Sequence, residues 1–357
     1  MRRYQPPPPT SAVTSAASPY RCTRPVALHS VRLSLALFIL LPSYRSASVE
    51  LTPWTMTSDS IRTIDGTDNN PLDPLLGSAG RPLLRVAQSD YGDGIAALAG
   101  TGRQGPRELS NVLADQSESV LNRQQASDWV WQWGQFLDHD LDLTPAALPE
   151  ETADIQIPAG DPVFDAGYAG NSTMPFVRSI YDPHSGTDRI TPRQQLNMVT
   201  SFIDASNVYG SDAGRAHALR TNDGTGKLKT SSGGQFLPLN TTGLPNAGGP
   251  DPGLFLAGDV RANEHVGLTA THTLFVREHN RLCDEIRKKD PLLEGEAIYQ
   301  QARKIVGAEI QVITYRDFLP ILLGPNAIPA YRGYDPQVDP TIANEFSTAA
   351  YRSTAAG

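Results

Sequence analysis

The stretch Trp133-Gly134-Gln135-Phe136-Leu137-Asp138-His139-Asp140-Leu141-Asp142 decides how this chain is read. On a helix Gln135 and His139 are i and i+4, so their side chains share one face. Asp138 and Asp140 are about 200° apart at ~100° per residue, so they serve different surroundings. Acids crowded around one histidine, just after Trp129, Trp131 and Trp133, make an odd composition for a solvated helix face. The plain alternative is an exposed acidic helix end with a surface histidine, and taken in isolation the two readings stand level.

Working outward, Ser127 is placed to cap the helix that carries this stretch. Apolar positions at helical spacing predict a second helix from Gly267 to Lys288. A third runs from Glu296 through Phe318, with Pro320 as its expected stop. Residues 60–115 are rich in Gly, Pro, Asn and Asp and predict an extended arm laid on a larger body, whereas 150–192 and 221–257 predict long loops. The expected fold class is mainly α, with long loops and an extended N-terminal arm. The expected division is 1–50 as a signal-like region, 51–115 as the arm and 116–357 as the main helical domain.

Composition narrows the partners. The chain has 357 residues, 39% of them hydrophobic and 19% charged, which suits a globular protein with an ample core. Its net charge is −8; residues 1–50 hold six Arg and one acid, so the remainder carries −13. Acidity of that size argues against nucleic acid or an anionic membrane as partner. Cys22 and Cys283 offer no disulfide framework. Arginines ahead of the apolar run Leu33 to Leu41, then small residues around Ser46-Ala47-Ser48, predict a secretory signal and a secreted or extracytoplasmic location. An Arg-rich transit peptide, or a start placed too far upstream, is the rival. The apolar run is too short to span a bilayer, so stable membrane insertion is not expected. If the host is eukaryotic and exports the protein, Asn171-Ser172-Thr173 and Asn240-Thr241-Thr242 fit the glycosylation pattern.

Two further segments carry chemistry. Thr200-Ser201-Phe202-Ile203-Asp204-Ala205-Ser206 places side-chain oxygens at Thr200, Asp204 and Ser206, with the Phe202 carbonyl between them. Hard cations take six to eight such oxygens, although an ordinary Ser/Thr-rich turn has the same composition. In Ala257-Gly258-Asp259-Val260-Arg261-Ala262-Asn263-Glu264, Arg261 and Glu264 are i and i+3. If helical they share a face, and the bland reading is a surface ion pair of little energetic worth.

Taken together these segments resemble the animal haem peroxidase family, over about Arg62 to Arg352 and in the family's order. The resemblance implies haem b and Ca²⁺ as cofactors, with hydrogen peroxide and a small reducing substrate (a halide, thiocyanate or an organic donor) as reactants. His139 would be the distal base and Gln135 a lining residue of the distal cavity. Arg261 would be the fixed cation, and Asp138 and Glu264 the acids esterified to the haem. Asp140, Thr200, Phe202, Asp204 and Ser206 would ligate calcium. The run His272-Thr273-Leu274-Phe275-Val276-Arg277-Glu278-His279 matches the family's long helix, where His272 and His279 are read as structural. Tyr315-Arg316-Asp317-Phe318-Leu319-Pro320 is a further match.

Two departures shape the expectation. His265 stands where the family member with a sulfonium haem link has methionine, so that link and strong chloride oxidation are not expected. After Ala343-Asn344-Glu345-Phe346 the family continues into Y-R-aromatic-G-H, whose histidine ligates the iron; here Ala350-Tyr351-Arg352-Ser353-Thr354-Ala355 puts Ala355 in that place. The expected fold is therefore incomplete on the proximal side, as in a frameshift or early stop, with weak haem binding and poor turnover. The alternative function is an inactive homologue that keeps the calcium site and acts as an adhesion or partner-binding scaffold. A hydrolytic metal site at His139 has little behind it, because no H-E-x-x-H pattern exists.

Overall fold

Helix signals in this chain are local and strong, and in a computed structural model they become eight α-helices among the described residues. The description covers residues 61–354, except positions 119, 121 and 123; the signal-like region 1–50 and Ala355 lie outside it. Helix α1 (Pro106–Leu113) starts on a proline, and Glu108 reaches back to the Gly105 amide at 3.0 Å. Helix α2 (Trp129–Leu141) buries Trp133, Phe136, Leu137 and Leu141, the apolar stripe of the opening stretch. Its cap differs from expectation. Asp128 precedes the helix, and Ser127 contributes only its carbonyl, to the Val130 amide at 3.0 Å.

Helix α3 (Ser206–Tyr209) is a single buried turn, and α4 (Ala213–Leu219) is capped by Asp212, whose carboxylate accepts from the Arg215 amide at 2.8 Å. Helix α5 (Val266–Lys289) matches the expected second helix within a residue at each end and finishes on Arg287, Lys288 and Lys289, which suit a helix C-terminus. Helix α6 (Gly295–Val312) packs along α5. It then widens into a π-helical turn, Ile313–Phe318, and continues as α7 (Leu319–Leu323). Pro320 therefore does not stop the helix. It sits in the first turn of α7, where a missing N–H is tolerated. Helix α8 (Asn344–Thr348) leads into a 3₁₀ turn, Ala350–Thr354, that touches α2.

Sheet is minimal. Strand β1 (Arg81–Pro82) pairs antiparallel with β4 (Leu196–Asn197), and β2 (Ile155–Gln156) with β3 (Thr173–Met174). From 61 to 105 only β1 is regular, and the segment is held by specific bonds instead. Arg303 on α6 donates to the carbonyls of Arg62 (2.7 Å) and Thr63 (2.9 Å). Leu84 donates to Ile342 (2.9 Å) and accepts from Asn344 (2.7 Å), while the Glu345 carboxylate takes the amides of Val86 and Ala87.

The core that positions the site lies between α2 and α5. Phe136 stacks on Phe275 at 5.2 Å and 12°, Trp133 tilts against both, and the Trp133 indole donates to Thr314 at 3.3 Å. Each such aromatic contributes about 1.5–3 kcal/mol by leaving water. The backbone of α2 is thus fixed on its inner face, and the residues that alternate with the stripe are presented to fixed neighbours.

Candidate active site

Helix α2 delivers His139 into the interior, where it is 3% exposed. Its Nδ1 lies 3.5 Å from the Asp259 carboxylate and has no hydrogen-bond partner. Burial, reinforced by the positive charge of Arg261, holds this imidazole well below its ordinary value, so it is neutral. The nearby carboxylate favours the tautomer with its proton on Nδ1, which leaves Nε2 as the basic atom.

Asp259 is fully buried and grips Arg261 through both oxygens, with Nε at 2.9 Å and Nη2 at 2.8 Å. Burial alone would raise the Asp259 carboxyl, but Arg261 outweighs it through its charge and its hydrogen bonds and keeps the group ionised. Arg261 also donates to the Asp142 carbonyl at 2.8 Å, tying the loop to the end of α2. Close backbone approach makes this possible. A Cβ on Gly258 would lie 2.4 Å from the Ser206 carbonyl and 2.5 Å from the amides of Tyr209 and Gly210, so only glycine fits.

The surface ion pair that Arg261 and Glu264 would make on the bland reading is not formed. Residues 261–264 make a turn, in which Glu264 donates its amide to the Arg261 carbonyl at 3.0 Å, and Arg261 is buried against Asp259 instead of lying on the surface. Glu264 accepts from Gln135 Nε2 at 2.9 Å, and the Gln135 amide oxygen meets His265 Nε2 at 2.7 Å. Gln135 therefore belongs to the Glu264 and His265 edge of the site. Burial raises the Glu264 carboxyl above its ordinary value.

Asp138 faces the other way from Asp140, as the helical geometry requires. Burial raises Asp138 while Arg352 opposes the shift from 3.3 Å. Asp142, one turn on, is pushed up to about 7 by burial and by Asp138. Three contributors were not singled out from sequence: Asp259, Asp142 and Arg352. A signal existed for two of them, since Asp142 is i+4 from Asp138 and Asp259 stands two residues before Arg261.

Asp140 points into the 200–206 loop. Its carboxylate accepts from the Ser206 hydroxyl (2.8 Å) and from the amides of Ala205 and Asn207 (both 3.2 Å). Asp204 accepts from the Thr200 hydroxyl at 3.0 Å, and its Oδ2 is buried without a partner. Burial and the facing Asp204 push Asp140 up to about 7, and burial raises Asp204 as well. Phe202 shows its ring, 5.3 Å from the Arg62 guanidinium, and no hydrogen bond to the other four among the described residues. No group of three or more His, Cys, Asp or Glu side chains is placed to hold a metal among the described residues. Two buried carboxylates, an orphaned oxygen and two hydroxyls nevertheless fit a hard cation.

A haem fits this face on one side. A neutral imidazole and a buried guanidinium stand between α2 and the 257–265 loop, with Asp138 and Glu264 each within electrostatic reach of Arg261. His279 is bonded through both ring nitrogens, and His272 through Nδ1, its buried Nε2 having no partner. Cavities of about 370 Å³, beside Arg81 and Leu84, and about 200 Å³, beside Arg62 and Arg303, lie away from it. Exposed Glu264 and Val266 mark the face as open. No helix among the described residues is long and apolar enough to cross a membrane.

This is a helical protein whose site sets a buried, neutral imidazole against the carboxylate that holds a buried guanidinium. The chain belongs to the animal haem peroxidase family, whose family model matches residues 61–356. It is 39% identical to myeloperoxidase of Mus musculus over 82% of this chain and 46% of that protein. Against thyroid peroxidase of Sus scrofa the identity is 37%, over 84% of this chain and 38% of the relative. Peroxidase A from Dictyostelium discoideum superposes with a TM-score of 0.74 at 30% identity, covering 83% of this chain and 60% of that one. The chain thus spans less than half the length of these curated relatives.

Proposed function

We propose that this chain carries the peroxide-activating side of a haem-dependent peroxidase, which reduces hydrogen peroxide and oxidises a halide, thiocyanate or an organic donor. The observation that carries the reading is the neutral His139 held 3.5 Å from the carboxylate that grips Arg261. When bound, the haem supplies the electron chemistry. Nε2 of His139 takes a proton from peroxide and returns it to the departing oxygen, while Arg261 offsets the negative charge developing there. Gln135 orders the rim through Glu264 and His265. Asp138 and Glu264 are the proposed anchors for the macrocycle. Asp140, Thr200, Phe202, Asp204 and Ser206 are the proposed calcium ligands, which would fix the end of α2 and with it His139. Secretion, and residues 51–115 as an arm on a 116–357 body, belong to the same proposal.

The test is to express the chain with calcium, add haemin and record absorption alongside peroxide-dependent dye oxidation. A sharp, saturable haem band with turnover lost in His139→Gln supports the reading. Broad, free-haemin-like absorption sinks it for this polypeptide. A second reading is a calcium-stabilised scaffold without catalysis, favoured by Arg352 occupying the Asp138 carboxylate that an ester would need. It expects calcium to raise the melting temperature while haemin leaves no saturable band.

A further inference from the structure

Behind the site, α3, α5 and α6 enclose a polar cluster that peroxide activation does not use. Tyr209 is fully buried, and its hydroxyl lies 2.8 Å from Nδ1 of His279. His279 Nε2 lies 2.9 Å from the Gly226 carbonyl. A carbonyl only accepts, so the ring proton sits on Nε2 and Nδ1 must accept from the Tyr209 hydroxyl. Burial brings His279 down to about 4, so the imidazole is neutral with Nδ1 unprotonated; it is a weak base, but a sufficient one for the far more acidic oxidised phenol held against it. The Tyr299 ring stands edge-on to both, 5.8 Å from Tyr209 and 5.4 Å from His279.

We propose that Tyr209 is a redox-active tyrosine, giving an electron to a one-electron oxidant while its phenolic proton crosses to Nδ1 of His279. The oxidant gains that electron, Tyr209 becomes a neutral phenoxyl, and His279 becomes an imidazolium whose Nε2 proton still meets the Gly226 carbonyl. Return of one electron to Tyr209 sends the proton back.

Comparison with Tyr299 explains why the oxidation localises. The Tyr299 hydroxyl is buried with no acceptor, so its proton has nowhere to go, and the Arg220 guanidinium 3.9 Å from its ring opposes positive charge there. Arg303 is farther from the Tyr209 ring, at 5.9 Å, and is occupied by the arm. A short bonded route joins Tyr209 to the site. It is three residues from Ser206, whose hydroxyl donates to Asp140, the chain neighbour of His139. Tyr209 would thus drain oxidising equivalents that no bound donor removes. For its natural oxidant the inference rests on the peroxidase reading.

The experiment supplies the oxidant independently of haem. A photogenerated ruthenium(III) polypyridyl oxidises the full chain, and freeze-quenched electron paramagnetic resonance identifies the radical. The expected result is a hydrogen-bonded neutral tyrosyl, lost in Tyr209→Phe and retained in Tyr299→Phe, with its formation slowed about a hundredfold in His279→Gln. An unchanged signal in Tyr209→Phe, or no tyrosyl at all, overturns the proposal. Should Tyr209→Phe not fold, high-field spectra of the unaltered chain decide. A tyrosyl coupled to an imidazolium nitrogen and slow to react with ascorbate supports it, and a rapidly quenched, uncoupled one defeats it. Failure of the peroxidase reading leaves this radical in place.

Discussion

Asp259 and Arg261 form a two-point contact inside the protein, Oδ1 to Nε at 2.9 Å and Oδ2 to Nη2 at 2.8 Å, with the carboxylate wholly shielded from water. Removing one partner leaves the other charge buried and alone. Asp259→Asn is therefore expected to lower stability by about 3–5 kcal/mol, read as a shift of the denaturant midpoint. A change within experimental error would mean that Arg261 finds water or another carboxylate.

Gly258 makes that contact possible by letting the loop touch α3. Gly258→Ala drives a methyl into three backbone atoms that cannot swing aside. The expected cost is about 1–3 kcal/mol or more, accompanied by weakened peroxide-dependent turnover, because Asp259 would be displaced from His139. A thermal melt measures the first, and peroxide-dependent dye oxidation with haemin measures the second.

Phe136 and Phe275 anchor the helix that carries the site. Phe275→Ala should cost about 3–5 kcal/mol, since it opens a cavity beneath the stacked ring of Phe136. Chemical denaturation checks it, and a loss near zero would show that α2 is held mainly from elsewhere.

Asp140 gives the protein a pH signature. Its folded value, about 7, is above that of an unfolded aspartate, so without a cation the folded state binds the extra proton. Stability from this group is then greatest below about pH 4 and falls as pH rises towards 7. Calcium should reverse the trend. It needs the ionised form, so its stabilising effect grows from pH 5 to pH 7, reaching about 2.7 kcal/mol at a hundredfold excess over its Kd. Melting curves in calcium and in EDTA across that range test it, with Asp204→Asn expected to abolish the calcium response.

Arg352 competes for the acid proposed as a haem anchor. Arg352→Gln should increase the fraction of haemin that survives acidic organic extraction, because Asp138 is freed at 3.3 Å from its present partner. No retained haem in either protein would argue against the ester.

Much of this was legible from sequence, for local reasons. The α2 stripe and α5 announce themselves by period, and opposite faces for Asp138 and Asp140 follow from helical rotation alone. Ser127 and Pro320 were misread because a cap and a helix stop depend on backbone angles that neighbours can override; the π turn at Ile313–Phe318 re-phases the chain before Pro320. Asp259 as the partner of Arg261 was not singled out, because i, i+3 spacing is informative only in a helix, and 261–264 is a turn with Asp259 just upstream of it. Arg352 reaches Asp138 from 214 residues away, a separation that no local pattern encodes.

The contact between the arm and α8 has a consequence for how the molecule is made. Leu84 and Ala87 bond to residues near 343–345, and the Ala87 to Glu345 bond closes a loop of 258 residues. Strand β1 can pair with β4 once residue 197 has been made, whereas the stretch from Leu84 to Ala87 must wait for the segment around residue 345. The arm therefore docks in two stages during synthesis, and its Leu84–Ala87 end is the last part to be covered.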